Sequence, residues 1–152
     1  MKVILYQPDI AQNLGAIMRL CACFDTELEI IDPCGFPLTA KALRRTAMDY
    51  GAPEAVTRHK SWESFCDSPD NSRLVLLTTK AATPLPEFKF EATDRLIFGR
   101  ESAGAPPEVH ARADARIIIP INPSARSFNL ATSASIALFE ALRQTGGLPA
   151  PI

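Results

Sequence analysis

The stretch RIIIPINPSARSFNLATSASIALFEALR, Arg116 to Arg143, decides the fold. Its β-branched run, Ile117 to Ile119, predicts a strand. Pro120 ends the run because proline has no N–H to give a sheet ladder, and Pro123 keeps the next residues out of regular structure. A polar loop follows with Ser124, Arg126, Ser127 and Asn129. Beyond it Leu130, Ala134, Ala137, Leu138, Ala141 and Leu142 recur at helical spacing. The order is strand, polar loop, helix. In an open α/β sheet such a junction lies at the carboxyl end of a strand, where ligands bind and free N–H groups meet them. The same pattern equally describes a plain strand-to-helix connection with a Ser or Asn cap.

Outward from this stretch the same order recurs. Lys2 to Tyr6 reads as a first strand, and a helix follows in which Ile17, Leu20, Cys21 and Phe24 make an apolar stripe. Glu27 to Ile31 reads as a second strand, closed by the turn residues Asp32-Pro33-Cys34-Gly35. Thr39 can cap a helix running to about Tyr50, with Leu43 and Met48 inward and Arg44 and Arg45 outward. Ala55 to His59 is a short strand and Ser61 to Cys66 a short helix. Arg73 to Thr79, uninterrupted by charge from Leu74 to Leu77, is the central-strand candidate. Ala81 to Phe90, with Pro84 and Pro86, reads as a loop or edge segment. Arg95 to Phe98 is a strand that stops at Gly99, and a short helix is expected from Pro107 to Ala113. Alternating strands and helices predict an α/β fold: a mostly parallel sheet with helices on both faces.

The chain has 152 residues, 47% of them hydrophobic, which predicts a single domain over 1–152 with a sizeable core. No apolar run reaches the roughly 20 residues of a membrane span, and Val3 to Tyr6 is too short for a signal-peptide core. A soluble, cytoplasmic protein is expected. Cys21, Cys23, Cys34 and Cys66 lack metal-ligand spacing and His neighbours, so reduced, mostly buried thiols and no metal are expected.

The formal net charge is −1, and its distribution is uneven. Lys41, Arg44, Arg45, Arg58 and Lys60 face only Asp49 and Glu54, whereas Glu63 to Asp94 holds six acids and three bases. Eleven of the 16 basic residues are Arg, the side chain shaped for bidentate phosphate contacts. This basic stretch fits an RNA-binding patch and a solvated helix face equally well.

Several enzyme classes lack their motifs. There is no G-x-G-x-x-G after the first strand and no Walker lysine loop, which removes dinucleotide and P-loop chemistry. No serine lies in a G-x-S-x-G elbow. His59, flanked by Arg58 and Lys60, and His110, on a short helix, are expected at the surface.

Three clusters remain. Asn13-x-Gly15-x-Ile17 with Arg19 opens the chain, Phe98-Gly99-Arg100-Glu101-Ser102-Ala103-Gly104 follows a strand, and Ile119-Pro120-Ile121 precedes Arg126-Ser127-Phe128-Asn129-Leu130. With these clusters the chain resembles the SPOUT superfamily of RNA methyltransferases, and within it the small TrmL type. The likeness runs over nearly the whole chain, through Leu5-Tyr6-x-Pro8, Leu43-Arg44-Arg45, Val56-Thr57-Arg58-His59 and Leu77-Thr78-Thr79-Lys80.

This resemblance implies a SPOUT-type fold with a C-terminal trefoil knot whose loops hold S-adenosyl-L-methionine. It implies a cofactor site at Leu77, Thr78, Gly99, Glu101, Ile119, Ser127 and Leu130, and a catalytic set of Arg19, Ser127 and Asn129. Gly99 and Gly104 would let backbone approach the adenosine, or would merely permit turns. The implied reaction is 2′-O-methylation of the wobble nucleotide of tRNA, cytidine or uridine. The alternatives are another tRNA or rRNA position, or a non-catalytic RNA-binding module. Arg19 is implied as base or phosphate anchor; a guanidinium, with a pKa above about 12, needs help to act as a base. The resemblance also implies a homodimer through the small-residue helix that starts near Asn129. Ala103 and Ala131-Thr132-Ser133 depart from the type, which commonly has an arginine and Ser-Asn-Ala there.

Overall fold

The computed structural model describes residues 1–47 and 56–151. Its strands are β1 (Lys2–Tyr6), β2 (Glu27–Ile31), β3 (Val56–His59), β4 (Leu74–Leu77), β5 (Thr83–Pro84), β6 (Arg95–Phe98) and β7 (Ala115–Ile118). They form one sheet in the order β3-β2-β1-β6-β4-β7-β5, and every pairing between neighbours is parallel. All carboxyl ends therefore lie along one edge. β4 is interior, as its charge-free run requires, but β6 occupies the centre.

The helices are α1 (Ala11–Cys23), α2 (Ala40–Ala47), α3 (Trp62–Cys66), α4 (Pro107–Arg112) and α5 (Leu130–Thr145). Alternation along each strand feeds two cores. Val3, Leu5, Val75, Leu77, Leu96, Phe98 and Ile117 join Leu14, Ile17 and Cys21 of α1 and Ala134, Ala137, Leu138 and Ala141 of α5. Ile4, Tyr6, Leu74, Leu76 and Ile97 join Phe65 of α3 and Val109 of α4 on the other face. Helices thus cover both faces. Asn129 caps α5 through its side chain, and Gly146, at φ 70°, ends it in the left-handed region that glycine enters without cost.

Some expectations change. The β7 strand stops at Ile118, so Ile119 belongs to the loop. The segment with Pro84 and Pro86 supplies the two-residue edge strand β5, a position that tolerates proline. Cys21 is buried, but Cys23 and Cys66 are exposed and Cys34 is half-buried; all four are free thiols. His59 is no surface residue: its side chain is 11% exposed, with Nε2 2.7 Å from a carboxylate oxygen of Glu29 and the ring edge-on to Phe65. Neighbouring strands brought that acid to it, a contact no local pattern reveals. Thr39 Oγ1 accepts from Ala42 N at 3.0 Å and so caps α2. The expected continuation to Tyr50, the side chains of Leu43, Arg44 and Met48, and Ala55 lie outside the described residues. Among those described, no helix is long and apolar enough to cross a membrane, and no cluster of potential metal ligands occurs.

Candidate active site

Because β6, β4 and β7 are adjacent and parallel, the loops leaving their carboxyl ends meet. The segments after Leu77, after Phe98 and after Ile118 enclose a cavity of about 540 Å³ together with the start of α1 and α5. That volume lies within the roughly 300–1,000 Å³ of small-molecule sites. Leu77, Thr78, Gly99, Glu101, Ile119, Ser127 and Leu130 all line it, and so does Asn129. Arg19 does not. It lies in a separate groove between α1 and α2, with Gly15, Ala16 and Arg45.

The site is held by a hydrogen-bond network that ties the three clusters together. The first turn of α1 has no cap of its own: Ile10 supplies no side-chain acceptor and the turn carries no acid. Glu101 provides one from a loop far along the chain. Its carboxylate accepts from Asp9 N at 2.7 Å, Ile10 N at 3.3 Å and Asn13 Nδ2 at 3.1 Å. A negative charge on the free N–H groups of a helix start is stabilising. A carboxylate only accepts, so Asn13 must offer it the amide NH₂ and keep Oδ1 for another donor. Asn129 Nδ2 donates to that oxygen at 2.8 Å, while Asn129 Oδ1 accepts from Ala131 N at 2.9 Å. The chain Glu101, Asn13, Asn129 thus joins the start of α1 to the start of α5 across the cavity wall. Asn129 and Glu101 are both engaged in holding the wall.

A second link fixes the 100–104 loop. Arg100 Nη2 donates to Asp9 Oδ1 at 2.7 Å, and Ser102 N donates to Asp9 Oδ2 at 3.1 Å. The Arg100 guanidinium, with Ser102, holds the Asp9 carboxyl down at about 2. Arg100 and Gly104 exchange backbone hydrogen bonds at 3.1 and 2.8 Å, folding the loop back on itself. Gly99 serves this fold directly: a Cβ there would strike Ala105 N and the Gly104 carbonyl carbon. Its need for glycine is therefore met by the loop's own backbone. At Gly104 the reason differs, since φ is 69° and open space lies where a Cβ would be.

The cavity has two characters. Leu77, Phe98, Ile119, Ile121 and Leu130 offer apolar surface, with the exposed Ile10 and Phe128 at the rim. Lys80 and His110 add polar groups to the lining. His110, expected at the surface, is half-buried. Burial first, and then the nearby charges of Lys80 and Arg116, push its imidazole below the ordinary histidine range. The sequence left Lys80, His110 and Phe128 outside the site because only the sheet order brings β4, α4 and the last loop together. Burial pushes the Cys21 and Cys34 thiols up to about 12, which disfavours their thiolates.

The fit to an adenosine-bearing cofactor is good on these observations. An apolar lobe can take a flat ring, and the open space at Gly104 permits close backbone approach.

Comparison with known proteins agrees with this geometry. The SpoU rRNA Methylase family model matches residues 1–139. A tRNA (cytidine(34)-2′-O)-methyltransferase from Beijerinckia indica is 51% identical over 146 residues, covering 95% of this chain and 91% of its own. A solved structure concerned with 2′-OH methylation of C/U34 on tRNA superposes with a TM-score of 0.86 at 36% identity, covering 94% of each chain. An S-adenosylmethionine-bound rRNA methyltransferase from Sinorhizobium meliloti gives 0.81 at 25% identity, covering 93% of this chain and 55% of that one. A sheet of this order, a cavity built by the three clusters, and a match over nearly the whole length lead to one conclusion: the chain belongs to the SpoU methylase family of RNA methyltransferases.

Proposed function

We propose that this protein is a tRNA 2′-O-methyltransferase that uses S-adenosyl-L-methionine to methylate the ribose of the wobble nucleotide, cytidine or uridine 34. The observation that carries the reading is the convergence of three sequence-distant clusters on one cavity, in a chain 51% identical to a relative of that activity over 95% of its length. The cofactor supplies an electrophilic methyl group on a sulfonium sulfur. Leu77, Ile119 and Leu130 would hold its adenosine, with backbone at Thr78 and Gly99 alongside. Glu101 and Asn129 keep the wall rigid, and Ser127, exposed at the cavity, orients the groups that meet there. Rigid placement of the acceptor hydroxyl supplies much of the rate, and removal of its proton supplies more.

Arg19 acts on the RNA side, as base or as phosphate anchor. Since it lies outside its own chain's cavity, it serves the cavity of a second copy. A homodimer through the exposed side of α1 and α5 provides that second copy. Its support is the surface itself: Phe139 is 48% exposed and its ring lies 6.3 Å from that of Phe24, tilted by 56°, beside helices that carry Gly15, Ala16 and Ser135. Light scattering should report about twice the 16.5 kDa chain mass. The same reading includes a trefoil knot in the C-terminal segment and work in the cytoplasm, where tRNA is found.

The test is methyl transfer to purified tRNA, with nuclease digestion and mass mapping of the product. A 2′-O-methyl group at nucleotide 34 is expected. A methyl group at another position, or on a base, refutes the assignment.

A further inference from the structure

Alternation along β4 and β7 sorts the side chains around the cavity. In the register of the pair, Leu76 faces Arg116 and Leu77 faces Ile117. Leu77 and Ile117 belong to the core under α1 and α5, and Leu76 to the core under α3 and α4. Arg116 therefore rises on the α4 side, as does Thr78, two residues beyond Leu76. Lys80 follows from the loop after β4, and His110 comes from α4, next to the buried Val109. Lys80 and His110 thus line the cavity, and Arg116 stands on the same α4 side of the sheet, outside its lining.

Nothing of opposite charge answers them. Among the described residues neither Lys80 nor Arg116 has an ion-pair partner. The acids closest in sequence are occupied elsewhere: Asp114 accepts from Leu74 N at 2.7 Å and lies 3.9 Å from Arg112, and the charge of Glu108 bears on Tyr6. The two cations are exposed and the imidazole half-buried. Below its ordinary range, the imidazole is neutral at pH 7 and can donate a hydrogen bond.

We propose that Lys80 and His110, which line the cavity, and Arg116 beside them form an anion lobe at the cavity's edge that takes the RNA phosphodiester adjoining the nucleotide to be methylated. The inference rests on the function proposed above and adds the residues that seat the RNA backbone. Its chemical reason lies in the substrate. In RNA the oxygen next to the 2′-hydroxyl carries the 3′-phosphodiester, so a cavity that admits the hydroxyl brings that phosphate with it. A phosphate at a cavity mouth needs cations there, and exposed Lys and Arg side chains on flexible stems supply them. An apolar lobe for the adenosine and a basic lobe for the backbone keep the two ligands apart.

The test uses the full chain, tRNA labelled for fluorescence anisotropy, and S-adenosylhomocysteine for calorimetry. The double variant Lys80→Ala/Arg116→Ala should bind tRNA about tenfold more weakly at moderate salt. Its plot of log affinity against log salt should flatten by about 0.7 per charge removed. The charge-conserving pair Lys80→Arg/Arg116→Lys should restore the slope, and His110→Gln should leave it unchanged. S-adenosylhomocysteine should bind every variant within about twofold of wild type, which also reports an intact fold. An unchanged salt slope in the Ala variant overturns the proposal. Loss of S-adenosylhomocysteine binding with tRNA binding intact also overturns it, because the lobe would then serve the cofactor's carboxylate. Failure of the wild type itself to methylate tRNA refutes the functional reading instead, so the two failures are distinct.

Discussion

The two ends of the sheet handle charge in opposite ways. At the amino end of the strands every exposed or buried charge named here meets its opposite. Lys2 Nζ lies 3.1 to 3.2 Å from Glu27, Glu29 and Asp70. Arg73 forks onto the fully buried Asp94 with two 2.8 Å hydrogen bonds. Arg95, 2% exposed, lies 3.9 Å from Asp70, gives two hydrogen bonds to Ser72 O and lies over the Phe65 ring. By contrast Lys80, in the loop after β4, and Arg116, within β7, have no such partner among the described residues. At the carboxyl end the Asp9, Arg100 and Glu101 links belong to the wall, and Arg58 pairs with Asp32 at 2.8 Å just past β2. One end pairs its charges with one another; the other keeps donors and charge for a ligand. Parallel strands make the division possible, because they put all connecting loops of one kind on one edge.

The largest effect is expected where the carboxyl end is tested for completeness. Arg19→Ala should leave S-adenosylhomocysteine affinity intact and lower the single-turnover methylation rate by about 10²–10⁴ if Arg19 is the base. If Arg19 is an anchor, tRNA affinity falls instead and the rate at saturating tRNA survives. Wild-type turnover would return Arg19 to a surface charge of α1.

Next comes the amino end. Asp94→Ala leaves Arg73 and the N–H of Glu91 without their acceptor. Urea unfolding should show a loss of about 3 kcal/mol, while each folded molecule binds S-adenosylhomocysteine as before. A change in that affinity would break the division between the ends.

These expectations differ in how far they could be read from residues alone. β1, β2 and β6 have the limits their runs predict, because a strand buried on both faces needs a continuous apolar segment. The seven cofactor candidates share a cavity because the segments that carry them follow β4, β6 and β7, whose ends lie side by side. What was not legible is whatever a distant segment supplies. Glu101 lines the cavity, as its place in the cofactor set implies, but its oxygens also cap α1, which no local pattern reveals. His59 and His110 were placed at the surface because their local neighbours are polar, whereas a strand pairing and a helix packing cover them. Gly99 was read against the cofactor, and the loop's own backbone is what excludes a side chain there.

Asn13→Ala sharpens the comparison at the wall. It removes the bridge between Glu101 and Asn129 and leaves Asn129 Nδ2 without its acceptor. A loss of about 1–3 kcal/mol in urea unfolding is expected, together with weaker S-adenosylhomocysteine binding. Unchanged cofactor affinity would show that the bridge serves stability alone.

The smallest effect is in acid. The folded-state pKa of Asp9, about 2, lies below its ordinary value of 3.8. Its contribution to stability is complete above pH 4 and is lost as pH falls through about 2. Asp9→Asn should therefore lower stability modestly at pH 7 and flatten the decline between pH 4 and 2. Parallel pH profiles in the two proteins would contradict that role.

The central claim is that the carboxyl end presents a ribose hydroxyl to the methyl donor. Its most direct test compares a tRNA carrying cytidine at nucleotide 34 with the same tRNA carrying 2′-deoxycytidine there. Methyl transfer to the first and none to the second is expected, with tRNA affinity nearly equal. Equal transfer to both would contradict it.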